Sequence, residues 1–130
     1  MLWISLFVSA AFCQLVKFAT CDDMSLKNLF RTGGMPSGHS ALTACLATIA
    51  YIQVGWTLPT WICVVIWLLI FRDATGVRLA VGRDEDVLEQ LAKKHKLKTN
   101  IKHVRGHTSA QAWVGTAVGI VAAVFTHLVL

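Results

Sequence analysis

The chain has 130 residues, 55% of them hydrophobic and 15% charged, with a mean hydropathy of +0.61. That is too apolar for a water-soluble domain of this length. The net charge is +5, but seven of the twelve Lys and Arg fall between Arg83 and Arg105 without interleaved aromatic residues; this argues against a nucleic-acid partner and for membrane lipids with anionic headgroups.

Four apolar segments, at 2–21, 37–56, 58–82 and 109–130, are each near the ~20 residues needed to cross a ~30 Å hydrocarbon core. The expected fold is an all-α membrane protein. It forms one membrane domain over residues 1–130, a bundle of four transmembrane helices with one short amphipathic helix in the third loop. The first segment reads as an uncleaved span: Met1-Leu2-Trp3 offers no basic leader, and Lys17 interrupts the apolar run. The loop after it carries Lys27 and Arg31. Each of these three cations can reach a phosphate as a point charge or fork. The structural alternatives are snorkelling for Lys17 and a solvated loop face for Lys27.

The second segment opens on Gly33-Gly34-Met35-Pro36-Ser37-Gly38-His39-Ser40-Ala41. Pro36 suits a position at or just before a helix start, Ser37 or Ser40 can cap it, and the glycines let the chain bend in tightly. Free amides at the positive end of a helix dipole favour an anion, and the imidazole of His39 can exchange protons with it. This is a phosphate site in outline. The minimal link Gly55-Trp56-Thr57-Leu58-Pro59 makes the second and third segments an antiparallel hairpin and gathers Trp3, Trp56 and Trp61 near one membrane face.

The third segment contains Phe71-Arg72-Asp73-Ala74-Thr75-Gly76-Val77-Arg78, three ionisable side chains that each cost about 2.5–3.5 kcal/mol at a bilayer centre and so should not face lipid. At ~1.5 Å per residue Arg72 lies ~20 Å into this span and Arg78 ~29 Å, so Arg78 reaches the depth of the histidines while Arg72 and Asp73 sit beneath them. An Arg72–Asp73 pair bonded to neighbouring helices is the structural alternative for those two. On a regular helix Arg72 and Arg78 diverge by ~120°, which points to an interruption at Gly76 or to enclosure on several sides. Residues 84–96 follow as the loop helix, with acids in its first turn, bases in its last, and Val87, Leu88, Leu91 and Ala92 as a short apolar stripe. It either lies on anionic lipid or connects through solvent, and no chemistry is assigned to it.

The fourth segment opens with Val104-Arg105-Gly106-His107-Thr108-Ser109-Ala110-Gln111, again a glycine, a histidine and hydroxyl caps before an apolar helix. Gly115 and Gly119 form a small-xxx-small pattern suited to close helix packing. An even number of spans puts the loops 22–35 and 83–107 on one side; together they hold nine of the twelve Lys and Arg, so that side is cytoplasmic by the positive-inside rule. His39 and His107 then start their spans from the same face. Two imidazoles at helix starts under basic side chains make a phosphoryl-transfer site, one His attacking phosphorus and the other protonating the departing oxygen. Cys13, Cys21, Cys45 and Cys63 show no metal-ligand spacing and read as small packing residues. No metal and no cofactor is expected.

Gly-Gly-Met-Pro-Ser-Gly-His-Ser-Ala, Arg-Asp-Ala-x-Gly-Val-Arg and Gly-His-Thr, in this order and with Ala11–Lys17 in the first span, resemble the divergent branch of the type 2 phosphatidic acid phosphatase superfamily, relatives of vanadium haloperoxidases. The resemblance covers nearly the whole chain. It implies His39 as general acid, Ser37 and Gly38 as phosphate-cradling donors, and His107 as nucleophile. Three positions depart from the wider pattern. Gln111 stands where an aspartate would orient the nucleophile, and Ile101 where an arginine would bind phosphate. The basic motif before Pro-Ser-Gly-His has no clean counterpart, leaving Lys17, Lys27 and Arg31 as candidates. Arg78, Lys102 or Arg105 would then supply the cation, with Arg72 as a further phosphate-binding candidate. Asp73 is the candidate replacement carboxylate, and Gln111 an uncharged partner for the imidazole. The expected function is hydrolysis of a lipid phosphate or prenyl diphosphate through a phosphohistidine, in a chain that forms a homo-oligomer to enclose its pocket. The alternative is a non-catalytic lipid-phosphate binder or small transporter subunit on the same scaffold.

Overall fold

The computed structural model describes residues 2–20, 35–97 and 106–129. Its helices are α1 (Leu2–Thr20), α2 (Gly38–Val54), α3 (Leu58–Arg72), α4 (Arg78–Lys94) and α5 (Ser109–Val129), with a π-helical turn, Asp73–Val77, joining α3 to α4. The described residues contain no strand.

α2 ends at Gly55, whose φ of 66° lies in the left-handed region that favours glycine. Its N–H bonds the Tyr51 carbonyl at 2.9 Å, and its own carbonyl accepts from Thr60 Oγ1 at 2.7 Å. Pro59 occupies the first turn of α3, where no amide is missed. This is the expected hairpin. Tyr51, Trp56 and Trp61 stack on it, with ring centroids 4.8 and 4.9 Å apart in succession.

α2 is the centre of the bundle, packing on α5, α3 and α1, while α1 also packs on α5. Ser5 of α1 shares a hydroxyl hydrogen bond with Thr126 of α5, and Leu6 packs on Cys45, Ile49 and Ala123. The start of α1, the hairpin and the end of α5 therefore occupy one end of the bundle, so Trp3, Trp56 and Trp61 gather there. The opposite end holds the start of α2, the π turn and the start of α5.

The packing is inverted relative to a soluble bundle. The buried stripes are Ser5, Ser9 and Cys13 on α1, Ser40, Ala41, Ala44, Cys45 and Ile49 on α2, and Ala112, Gly115, Thr116, Gly119, Ala122, Ala123 and Thr126 on α5. The bulky apolar side chains, among them Trp3, Phe7, Leu69, Val121, Phe125 and Leu128, are exposed. Where the surround is as apolar as leucine, helices gain little by burying leucine and associate through close backbone approach and hydroxyl bonds. α5 is by itself long and apolar enough to cross a membrane; the apolar stretch of α1, Trp3–Leu15, is shorter.

Two expectations are corrected here. The loop helix is not a separate element after a span ending at 82: the helical ladder continues from Leu58 through the π turn to Lys94. The acids 84–86 carry no capping geometry, and neither proline nor a left-handed residue interrupts the chain between Val77 and Lys94. The rod stops only at a Schellman arrangement, with Lys96 at φ 54°, the Leu97 N–H on the Ala92 carbonyl at 2.9 Å and the Lys96 N–H on the Lys93 carbonyl at 3.2 Å. Val87, Leu88 and Leu91 are exposed on it, while Ala92 is buried. Secondly, Asp73 pairs with Arg78, so the structural alternative of an Arg72–Asp73 pair falls away.

Candidate functional site

The two glycine–histidine helix starts meet at the end of the bundle away from the hairpin. The Ser37 N–H donates to the Gln111 carbonyl at 3.2 Å, so the backbone entering α2 is tied to the first turn of α5. Gly115 lies against the Ser37 carbonyl and Gly119 against the Ala41 carbonyl, close enough that a Cβ at either glycine would overlap the facing oxygen. The predicted packing role of this glycine pair is thus realised against the segment that carries His39.

Ser37 is the residue before α2, but its hydroxyl caps no amide; it accepts from Ser40 Oγ at 3.1 Å, and both serines are fully buried. The first intrahelical bond of α2 runs from the Ala41 N–H to the Ser37 carbonyl at 3.0 Å. The N–H groups of Gly38, His39 and Ser40 precede it and have no carbonyl to meet within the helix. The side chain of His39 is exposed, and its carbonyl accepts from Thr43 Oγ1 at 2.8 Å.

α5 starts with a capping box. The Thr108 N–H donates to Gln111 Oε1 at 3.0 Å, and the Gln111 N–H donates to Thr108 Oγ1 at 3.3 Å. The Gln111 oxygen thus serves the helix start, a use that the Thr-x-x-Gln spacing could have revealed from the sequence. His107, one residue before the cap, is buried at 6% exposure, and its N–H donates to the Ala74 carbonyl in the π turn at 3.0 Å. Gly106 lies against the backbone of Arg78 and Leu79, with no room for a Cβ.

The π turn accounts for this docking. In it the Arg78 N–H bonds the Asp73 carbonyl, five residues back. Where an i→i+5 ladder returns to i→i+4, one carbonyl is passed over, and that of Ala74 is met by His107. The same extra residue lets Arg78 Nε donate to Asp73 Oδ2 at 2.6 Å, with both side chains nearly half exposed at 44% and 42%. The irregularity expected at Gly76 is this turn. Asp73 adjoins Ala74 and so stands level with His107 instead of beneath it.

Arg72 is exposed and, two residues before the buried Ala74, points ~200° around the helix to the outer side. It is not brought to the histidine-bearing starts. Lys17 lies in the last turn of α1, at this same end. Lys27, Arg31, Ile101, Lys102 and Arg105 lie outside the described residues. Beside the site, Trp67 Nε1 donates to Thr116 Oγ1 at 3.1 Å, and Trp67, Phe71 and Trp113 cluster with centroids 5.0–6.0 Å apart. The four-residue spacing of Trp67 and Phe71 was the only sequence signal for this wall. Among the described residues no three His, Cys, Asp or Glu side chains converge to hold a metal ion.

Comparison with known proteins adds two similarities. The profile of the divergent PAP2 family matches residues 1–122. The chain is also 28% identical to the uncharacterized membrane protein YuiD of Bacillus subtilis (strain 168), over 84% of its own length and 82% of that protein's. No solved structure matches the chain.

Proposed function

The chain belongs to the divergent PAP2 family, and from that premise we propose that it is a multi-pass membrane phosphatase acting on a lipid phosphate or prenyl diphosphate. The observation that carries this reading is the backbone junction of two histidine-bearing helix starts, Ser37 on Gln111 and His107 on Ala74, with the Arg78 cation on the same turn as Ala74. The four apolar segments are its spans, with the junction at headgroup level.

His107 attacks phosphorus, forming a P–N bond as the bond to the lipid oxygen breaks, and His39 gives that oxygen its proton. Water then attacks the phosphohistidine, His39 takes the proton back, and inorganic phosphate leaves. The amides of Gly38, His39 and Ser40 and the guanidinium of Arg78 stabilise the charge on the transferring group. The burial of His107 keeps bulk water from the nucleophile until phosphate is bound, and the exposure of His39 lets it exchange protons with solvent.

A purified-protein assay with phosphatidate and prenyl diphosphate tests this. Wild type is expected to release phosphate and to form an acid-labile phosphoprotein, and His107→Ala to lose both, with release falling at least about 10³-fold. Release that survives His107→Ala overturns the assignment. The Gln111 oxygen engaged in the capping box, and Ile101 in the expected arginine position, favour a second reading: a lipid-phosphate binder or transporter subunit without turnover. It expects phosphate binding without release, unchanged in His107→Ala.

A further inference from the structure

The π turn joins two features that a regular helix would separate. Residues five apart on an α-helix point ~140° away from each other and their side chains do not meet. With the i→i+5 bond from Arg78 to Asp73 they come to one side of the helix, and the carboxylate meets the guanidinium at Nε. An arginine held at Nε keeps its two terminal amino groups, Nη1 and Nη2, side by side at the far edge. That edge is a planar fork matched to two oxygens of a phosphate.

We propose that Asp73 is a positioning residue for Arg78: the turn Asp73–Val77 holds this carboxylate under the guanidinium so that Nη1 and Nη2 face the phosphate as a fixed pair. The carboxylate serves the cation, not the imidazole of His107. Three observations carry the assignment. The 2.6 Å contact is to Nε, both side chains remain nearly half exposed and open to a ligand, and the turn that aligns them supplies the carbonyl holding the His107 backbone. One backbone irregularity thereby ties the position of the cation to that of the histidine. Asp73 also lowers the electrostatic cost of an empty site, since a lone guanidinium at membrane depth is unfavourable and a paired one is less so.

This deepens the phosphatase reading and rests on it. The test compares wild type, Asp73→Asn, Arg78→Lys and the double variant, measuring phosphate release from short-chain phosphatidate and binding of inorganic phosphate to the detergent-solubilised chain. Asp73→Asn is expected to raise KM and the phosphate Kd by about two- to fivefold, the scale of a partly exposed ion pair. Arg78→Lys, which has no fork to orient, is expected to weaken binding as well. Adding Asp73→Asn to Arg78→Lys should then change nothing more. A purely structural role would instead give additive losses together with a lowered melting temperature, and that result overturns the proposal. So does an Asp73→Asn that matches wild type, or one that lowers kcat alone and shifts the pH profile, which would assign the carboxylate to the imidazole. In each of these cases wild-type activity stands and only the role of Asp73 falls. A wild type that neither binds nor releases phosphate removes the phosphatase reading first, and this inference with it.

Discussion

Gly106, Gly115 and Gly119 are each held to glycine by a backbone atom of another segment, whereas a Cβ at Gly76 would meet nothing within 4 Å. Gly115→Ala and Gly119→Ala should force α2 and α5 apart at a cost of about 1–3 kcal/mol each. Gly76→Ala should be tolerated. Melting temperatures in detergent separate the two groups, and equal stability for all three would disprove the close approach of α5 to Ser37 and Ala41. The Gly-xxx-Gly spacing made the packing role of Gly115 and Gly119 legible; their partners were not, because a spacing names a face of one helix and says nothing of what lies opposite. Arg78 and Asp73 show the same limit. Their charges were visible, and their pairing was not, since it needs a helix geometry that ordinary angular counting does not include.

At the scale of elements, local signals were read well where the chain itself supplies the bonds. Gly55 with Pro59 set the hairpin; the Thr-x-x-Gln box that sets the start of α5 is just as local but escaped the sequence reading, which gave Gln111 to the imidazole. Replacing Gln111 with Ala should lower stability by about 1 kcal/mol, while Gln111→Glu, which keeps the reciprocal cap, should retain it. Thermal unfolding checks this; a Gln111→Ala variant with unchanged melting but altered phosphate release would instead show the side chain acting at the imidazole. The continuity of α3 with α4 escaped the sequence reading because acids at 84–86 resemble a helix start. Acidic residues suit a first turn electrostatically, but they end nothing, and an existing ladder runs through them unless a proline or a left-handed residue stops it. Lys96 supplies that stop.

For the whole molecule, the exchange of small residues inside for bulky ones outside makes the arrangement of α1 against α5 testable. With the native cysteines removed, Ser5→Cys and Thr126→Cys should form a disulfide on mild oxidation, because the two hydroxyl oxygens lie 2.5 Å apart. Failure to crosslink would count against the antiparallel placement. If the four segments span, Met35→Cys and Trp3→Cys, both exposed and at opposite ends of the bundle, should react with an impermeant thiol reagent from opposite sides of the membrane. Labelling of both from one side would refute the four-span topology.

The sequence by itself determined that the chain is apolar and helical, that its third segment carries charges needing partners, and that two glycine–histidine helix starts share an end. Each of these follows from composition, segment length or parity, which are sums along the chain. Only the tertiary structure decided that the third helix gains a residue per turn at Asp73–Val77 and that His107 docks there. Passing over a carbonyl is unfavourable unless a donor arrives to meet it, and here the donor, the His107 amide, comes from another part of the chain. No window around Ala74 contains it.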